Sequence, residues 1–187
     1  GSHNAENALC AVLAVWSLRG QSDSLSELWK LAGGFRGLEH RLEFVSEVQG
    51  IRYYNDSKAT NDESSATALE ALDAPIVWLA GGVSKGAGYA ASMKYLSSKV
   101  SRLIAFGHAS SEISSEAKTL GFDADAITEA QTLSEAIRIA TENAATGDNV
   151  LLLPACASFD EFSNLIINSK QLKFNSLNFN SLNFNSF

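Results

Sequence analysis

The sequence predicts an open α/β fold, a mostly parallel sheet flanked by helices, with a helical appendage at its N-terminal end. Three observations carry this reading. Short apolar runs of strand length recur at residues 76–80, 102–106 and 150–153. Segments of helical periodicity lie between them, and alternating strands and helices build parallel sheets. Four of the strand candidates run straight into loops rich in glycine and polar residues.

Residues 5–18 are apolar on nearly every face, with Leu9, Val12, Leu13 and Trp16 at helical spacing, so a helix buried on several sides is expected. A second helix is expected over 25–32, ending at Gly33 and Gly34. The pair reads as the last piece of a preceding domain, spanning residues 1–40. From about residue 41 the period changes. Residues 42–48 and 51–54 flank Gln49 and Gly50 as a hairpin-like pair. Helices are expected over 66–72, 90–96, 113–120 and 133–144, and a weaker strand near 124–127. The clearest helix is 133–144, where Thr132 and Glu135 form a capping box and Leu133, Ala136, Ile137 and Ala140 share one face. An α/β domain over 41–168 follows, of Rossmann-like type. Residues 169–187 form a tail built on an FNSLN repeat whose five-residue period matches neither helix nor strand.

Composition narrows the function classes. The 187 residues carry 45% apolar and 19% charged side chains, an ordinary globular balance. A net charge of −7 supplies no basic surplus for a nucleic-acid backbone. No apolar run approaches membrane-spanning length. Cys10 and Cys156 make no disulfide framework and have no metal-type spacing to His3, His40 or His108, so a reduced, cytoplasmic setting without a metal site is expected. A monomer is expected. The only methionine is Met93, so the chain reads as a fragment.

In open α/β sheets ligands bind beyond the carboxyl ends of the strands. On that rule one sheet edge collects the loop 55–61, the loop 81–86, Gly107 with His108, and the stretch 154–158. In the first, Thr60 with Glu63 reads as a capping box, while Lys58 and free amides there suit an anion. In the second, Lys85 stands in a glycine-rich turn, either a plain exposed turn or a point charge for a carboxylate or phosphate. The chain contains no G-x-x-x-x-G-K phosphate loop, and the Gly86, Gly88, Ala91 spacing begins too far past its strand for a dinucleotide fingerprint. In the fourth, Ser158 with Glu161 is again a capping box, and a hydroxyl at a helix start also suits a carboxylate. Asn4 reads as a helix cap, His40 and Arg41 as salt-bridging residues at a domain junction, and His108 as a loop histidine.

Together these segments resemble one family. GSHNAENALCA is similar to the G-x-H-N-x-x-N-x-L-A-A segment of Mur ligases. HRLEF followed by NDSKATN resembles the start of their C-terminal domain. NDSKATN, GG-x-x-K-G and PACASFDEF resemble the D-glutamate-adding members in particular, and the match runs from Gly1 to about Asn164. The resemblance implies an ATP-dependent amide ligase of peptidoglycan synthesis. In it ATP phosphorylates the carboxylate of UDP-N-acetylmuramoyl-L-alanine, and the amine of D-glutamate attacks the acyl phosphate. The family roles fall on Asn4 and Asn7 near the adenine, and on Arg41 and Asp56 at ribose and phosphates. Lys58 and His40 fall near the reacting groups. Thr60 and Lys85 would hold one carboxylate of D-glutamate and Ser158 the other. ATP with magnesium belongs mainly to a central domain whose phosphate loop this chain does not contain, so the chain alone is expected to be inactive. It departs from the family pattern at Leu153, often serine there, and after Asn164. The competing expectations are a non-catalytic Rossmann-like remnant without a physiological ligand, and a sister ligase adding a different amino acid.

Overall fold

A computed structural model describes residues 2–35 and 37–156, with side chains from Ala5 onward. The chain divides into two compact units, Gly1–Leu38 and Glu39–Phe187. The first contains α1 (Ser2–Leu18) and α2 (Leu25–Gly33). Rather than lying buried on several sides, α1 buries Val12 and exposes Leu9, Leu13, Val15 and Leu18, and α2 exposes Trp29. Among the described residues no helix is long and apolar enough to cross a membrane.

The second unit holds a six-stranded sheet in the order β1-β2-β6-β3-β4-β5. Its strands are β1 (Glu43–Val48), β2 (Ile51–Asn55), β3 (Ile76–Gly81), β4 (Val100–Phe106), β5 (Ile127–Ala130) and β6 (Asn149–Ala155). β1 and β2 form the expected hairpin around Gln49 and Gly50, whose φ of 52° and 76° give the turn the hand that matches strand twist. All other pairings are parallel, as the alternating pattern predicts.

The helices are α3 (Asp62–Ala71), α4 (Ala90–Met93), α5 (Leu96–Lys99), α6 (Ser110–Thr119) and α7 (Leu133–Asn143). Right-handed crossovers dictate which face each one covers. Connections running from β2 to β3, β4 and β5 move one way across the sheet. Accordingly Leu69 of α3, Met93 of α4, Leu96 of α5 and Ile113 of α6 pack in one core with Ile76, Trp78 and Leu151. The return from β5 to β6 reverses direction and places α7 on the opposite face. There Leu133, Ala136, Ile137 and Ala140 pack on Val77, Leu79, Ile104 and Leu152. Successive residues of β3 thus serve different cores, the period-two signature of a strand buried on both faces.

Three local expectations are corrected. Helix α3 starts at Asp62 and not at residue 66, because Asn61 and not Thr60 is its cap: the Asn61 side chain accepts the Ser64 amide at 2.9 Å. The span 90–96 is two short helices, α4 and α5. Residues Ala124–Ala126 are a 3₁₀ turn, and the strand follows at Ile127–Ala130. Before α7, the Thr132 hydroxyl accepts the Glu135 amide at 3.2 Å as expected. The returning Glu135 carboxylate takes the Gln131 amide, one residue further back than in a regular capping box.

Candidate functional site

The parallel strands turn the carboxyl ends of β2, β3, β4 and β6 to one edge, where the loops after β2, β3 and β4 lie. The crossover pattern reverses at β6, which lies between β2 and β3 although it is the last described strand in the chain. That reversal is the position where open sheets form a crevice.

The loop after β2 is rigid by construction. Asp56 donates its amide to Leu152 O at 2.8 Å, and Ala59 O accepts the Ala155 amide at 3.1 Å. Asn55 is fully buried; its Oδ1 accepts the Ser57 amide at 3.1 Å. That leaves Asn55 Nδ2 to donate to His40 Nδ1 at 3.0 Å and to Glu43 Oε2 at 3.4 Å. An amide NH₂ cannot accept, so His40 Nδ1 is the acceptor in this contact. Glu43 is then secured by the His40 amide at 2.9 Å rather than by an ion pair with the ring nitrogen 3.7 Å away. His40 itself has a φ of 65°, and its carbonyl accepts the Lys58 amide at 3.2 Å. The junction histidine therefore holds the backbone that presents exposed Lys58.

Asp56 is 9% exposed. Burial pushes its carboxyl up to about 6; the Leu42 backbone amide and the Arg41 guanidinium act in the opposite direction. Folded Asp56 keeps its proton to about pH 6, whereas an unfolded aspartate releases it near 3.8. Between those values the folded state binds more protons, so its stability falls as pH rises through the window. Asp56→Asn keeps an acceptor for the Leu42 amide and removes the charge. The variant is expected to match the parent near pH 4 and to exceed it by on the order of 2 kcal/mol at pH 7. Urea unfolding at both pH values checks this; equal differences at the two would refute it. Carboxyls shifted in this way cluster at functional sites and also occur in structural networks.

The loop after β3 carries Lys85. Its ammonium donates to Thr60 O at 3.2 Å, joining the first two loops. Thr60, Asp62, Ser84, Lys85, Tyr89 and Ala155 are among the walls of one small cleft. Three carboxylates frame the Lys85 loop. Asp62 accepts the Ala91 and Ser92 amides at 2.7 and 2.8 Å, Glu112 accepts the Ser84 hydroxyl at 3.0 Å, and Glu116 accepts the Tyr89 amide at 3.2 Å. Among the described residues no carboxylate pairs with Lys85 itself. A cation left without a counterion beside a cleft is receptive to an acidic ligand.

Of the residues singled out in sequence, the structure brings together Thr60 with Lys85, His40 with Lys58, and Arg41 with Asp56. Asn7 is exposed on α1 in the helical unit. Ser158, the side chain of Asn4 and the tail 169–187 lie outside the described residues. His108 stands apart with Glu129 and Gln131 at a wide groove beyond β4 and β5. Sequence reasoning missed Asn55, Asp62 and Tyr89. Asp62 and Tyr89 act through contacts 27 or more positions away in the chain, which no local pattern signals.

The sheet and this edge define an α/β domain whose cleft after β3 sets a lysine against a backbone carbonyl. Residues 40–156 match the family model described as Mur ligase, glutamate ligase domain, and the chain belongs to that family. It is 43% identical over 164 residues to the UDP-N-acetylmuramoylalanine–D-glutamate ligase of Thermoanaerobacter sp. (strain X514), covering 88% of this chain and 36% of that protein. The ligase of the same name from Alkaliphilus oremlandii (strain OhILAs) is 37% identical over 173 residues, covering 92% and 37%. The chain thus spans little more than a third of the length of these curated relatives. Two solved structures share the fold. A UDP-N-acetylmuramoyl-L-alanyl-D-glutamate–2,6-diaminopimelate ligase matches at a TM-score of 0.55 and 14% identity, over 95% of this chain and 39% of the other. A murein peptide ligase from Psychrobacter arcticus 273-4 matches at 0.54 and 15%, over 90% and 37%.

Proposed function

We propose that the chain is the C-terminal, amino-acid-binding part of a cytoplasmic ligase that joins D-glutamate to UDP-N-acetylmuramoyl-L-alanine at the expense of ATP. The observation that carries the reading is the junction of Lys85 with Thr60 at the sheet reversal, in a chain 43% identical to a ligase named for D-glutamate. Lys85 and Thr60 would hold one carboxylate of the amino acid, and Ser158 the other. Arg41, Asp56 and Lys58, with Asn4 and Asn7, would face the nucleotide and the reacting groups. Exposed Arg41 and Lys58 suit phosphate oxygens. His40 would serve by fixing the Lys58 backbone rather than by moving a proton at Nδ1, which Asn55 occupies. For magnesium, no group of three or more His, Cys, Asp or Glu side chains converges among the described residues. The metal is therefore assigned to the phosphate-binding domain, and no step is derived through it.

The test is phosphate release from ATP by the full-length ligase that contains this chain, supplied with UDP-N-acetylmuramoyl-L-alanine. D-glutamate is expected to support turnover and L-glutamate to support little. The 187 residues alone, which contain no phosphate loop, are expected to release none. Equal turnover with L-glutamate, or preference for diaminopimelate, rejects this assignment.

A further inference from the structure

We propose that Glu112, on helix α6, presets the turn that carries Lys85 and is thereby a positioning residue for the carboxylate that this lysine holds. The proposal rests on reading the Lys85 cleft as the D-glutamate site. Its basis is a turn that the local chain does not hold by itself. Gly86 and Gly88 take φ of 71° and 72°, and nothing lies within 4 Å of either Cβ position. Glycine in open space samples both halves of the φ range, so the turn needs restraint from outside. Backbone bonds fasten the ends of the loop. Gly82 donates its amide to Phe106 O at 3.2 Å, Gly82 O accepts the Ala109 amide at 2.9 Å, and Tyr89 O accepts the Met93 amide at 2.9 Å.

Between those ends, Glu112 supplies the restraint nearest Lys85. The Ser84 hydroxyl donates to Glu112 Oε1 at 3.0 Å and accepts the Gly86 amide at 3.1 Å. The residues on either side of Lys85 are thus joined across it. A hydroxyl has one proton and two lone pairs, so directing the proton to a carboxylate leaves the lone pairs for the amide. The two bonds reinforce each other, because donation to a charged acceptor makes the oxygen a better acceptor in turn. Without Glu112 the hydroxyl is free to rotate, and the bracket around Lys85 loosens.

Helix α6 is suited to act as the template. Ile113 and Ala117 are fully buried in the core shared with β3, which fixes the helix against the sheet. One turn apart, Glu112 holds Ser84 and Glu116 accepts the Tyr89 amide at 3.2 Å. Glu116 and Asp62 meet the chain at Tyr89 and beyond, whereas Glu112 acts on both neighbours of Lys85. Lys85 Nζ then reaches Thr60 O at 3.2 Å from a turn already set. A lysine held in this way loses less freedom when a carboxylate binds, and the difference appears as affinity.

The experiment is steady-state kinetics of the full-length ligase. Glu112 is exposed, so its replacement leaves the core untouched. Glu112→Ala is expected to raise KM for D-glutamate about fivefold, with kcat and KM for ATP unchanged. Ser84→Ala is expected to do the same, and the double variant to be no worse than either, because both remove one bracket. Glu112→Gln retains an acceptor for the Ser84 hydroxyl and is expected to recover most of the loss. In a Lys85→Ala background, Glu112→Ala is expected to change KM no further. The proposal is overturned if Glu112→Ala leaves KM for D-glutamate unchanged, or if KM for ATP rises in step. Equal impairment by Gln and Ala also overturns it, since charge and not the bracket would then be at work. So does an added effect on top of Lys85→Ala. If Lys85→Ala itself leaves KM for D-glutamate unchanged, the functional reading and the positioning role fall together. If Lys85→Ala raises it and Glu112→Ala does not, the positioning role alone falls.

Discussion

Replacing Gly81 by alanine is expected to destabilise the α/β unit by at least about 3 kcal/mol, a large part of the stability of an ordinary domain. Gly81 ends β3 between Phe106 of β4 and Ala155 of β6. A Cβ there would lie 2.1 Å from the carbonyl oxygen of Phe106 and 2.7 Å from its Cγ. A side chain can rotate away, but the oxygen belongs to the neighbouring strand and accepts the Gly82 amide at 3.2 Å. Relief therefore requires β3 and β4 to part where the Lys85 loop begins. Gly86→Ala is the control: nothing lies within 4 Å of its Cβ position, so its φ of 71° alone costs about 1 kcal/mol. Urea unfolding of both variants separates steric from conformational cost. Near-equal midpoints would refute the steric account.

Lys85→Ala is expected to raise the KM for D-glutamate about 100-fold while changing folding stability by less than about 0.5 kcal/mol. The two effects separate because of where the side chain stands. Lys85 is exposed, and among the described residues its ammonium donates to one carbonyl, Thr60 O. Little folding energy depends on a contact of that kind. A bound carboxylate, by contrast, would face an uncompensated deficit of charge once the cleft excludes water. Lys85→Arg is expected to recover only part of the affinity, since a planar fork does not reproduce a compact ammonium in a narrow turn. Steady-state kinetics of the full-length enzyme decides it, and an unchanged KM would remove Lys85 from the site.

How much of this was legible beforehand depended on the range of the interaction. Strands β3, β4 and β6 announced themselves because burial on both faces demands continuous apolar runs. Strand β5 was blurred: it is an edge strand with one fully buried residue, Ala130, and carries little apolar signal. The loops of the candidate site were legible through a topological rule, that parallel strands send their carboxyl ends to one edge. The cap of α3 was misplaced by one residue because Thr60 and Asn61 both cap well, and the backbone chose Asn61. Thr60 O instead meets Lys85. The framing by Asp62, Glu112 and Glu116, and the contact of Tyr89 with Cys156, joins residues 27 to 67 positions apart. Local periodicity has no access to distances of that kind.

The position of β6 also governs how such a domain can be made. A ribosome releases residues 149–155 after every other strand described here, yet they form the rung between β2 and β3. Until they emerge, a nascent chain holds two separate pieces, the hairpin β1–β2 and the trio β3–β4–β5, each with an open parallel edge facing the gap. Those edges are lined by side chains such as Tyr53 and Trp78, which the finished domain buries almost completely. Unfilled edges of this sort invite pairing with other chains. Completion of the sheet is therefore a late event of high sequence separation, slow by topology and dependent on the arrival of one seven-residue strand. The crevice that positions Lys85 and Thr60 comes into being in that same step.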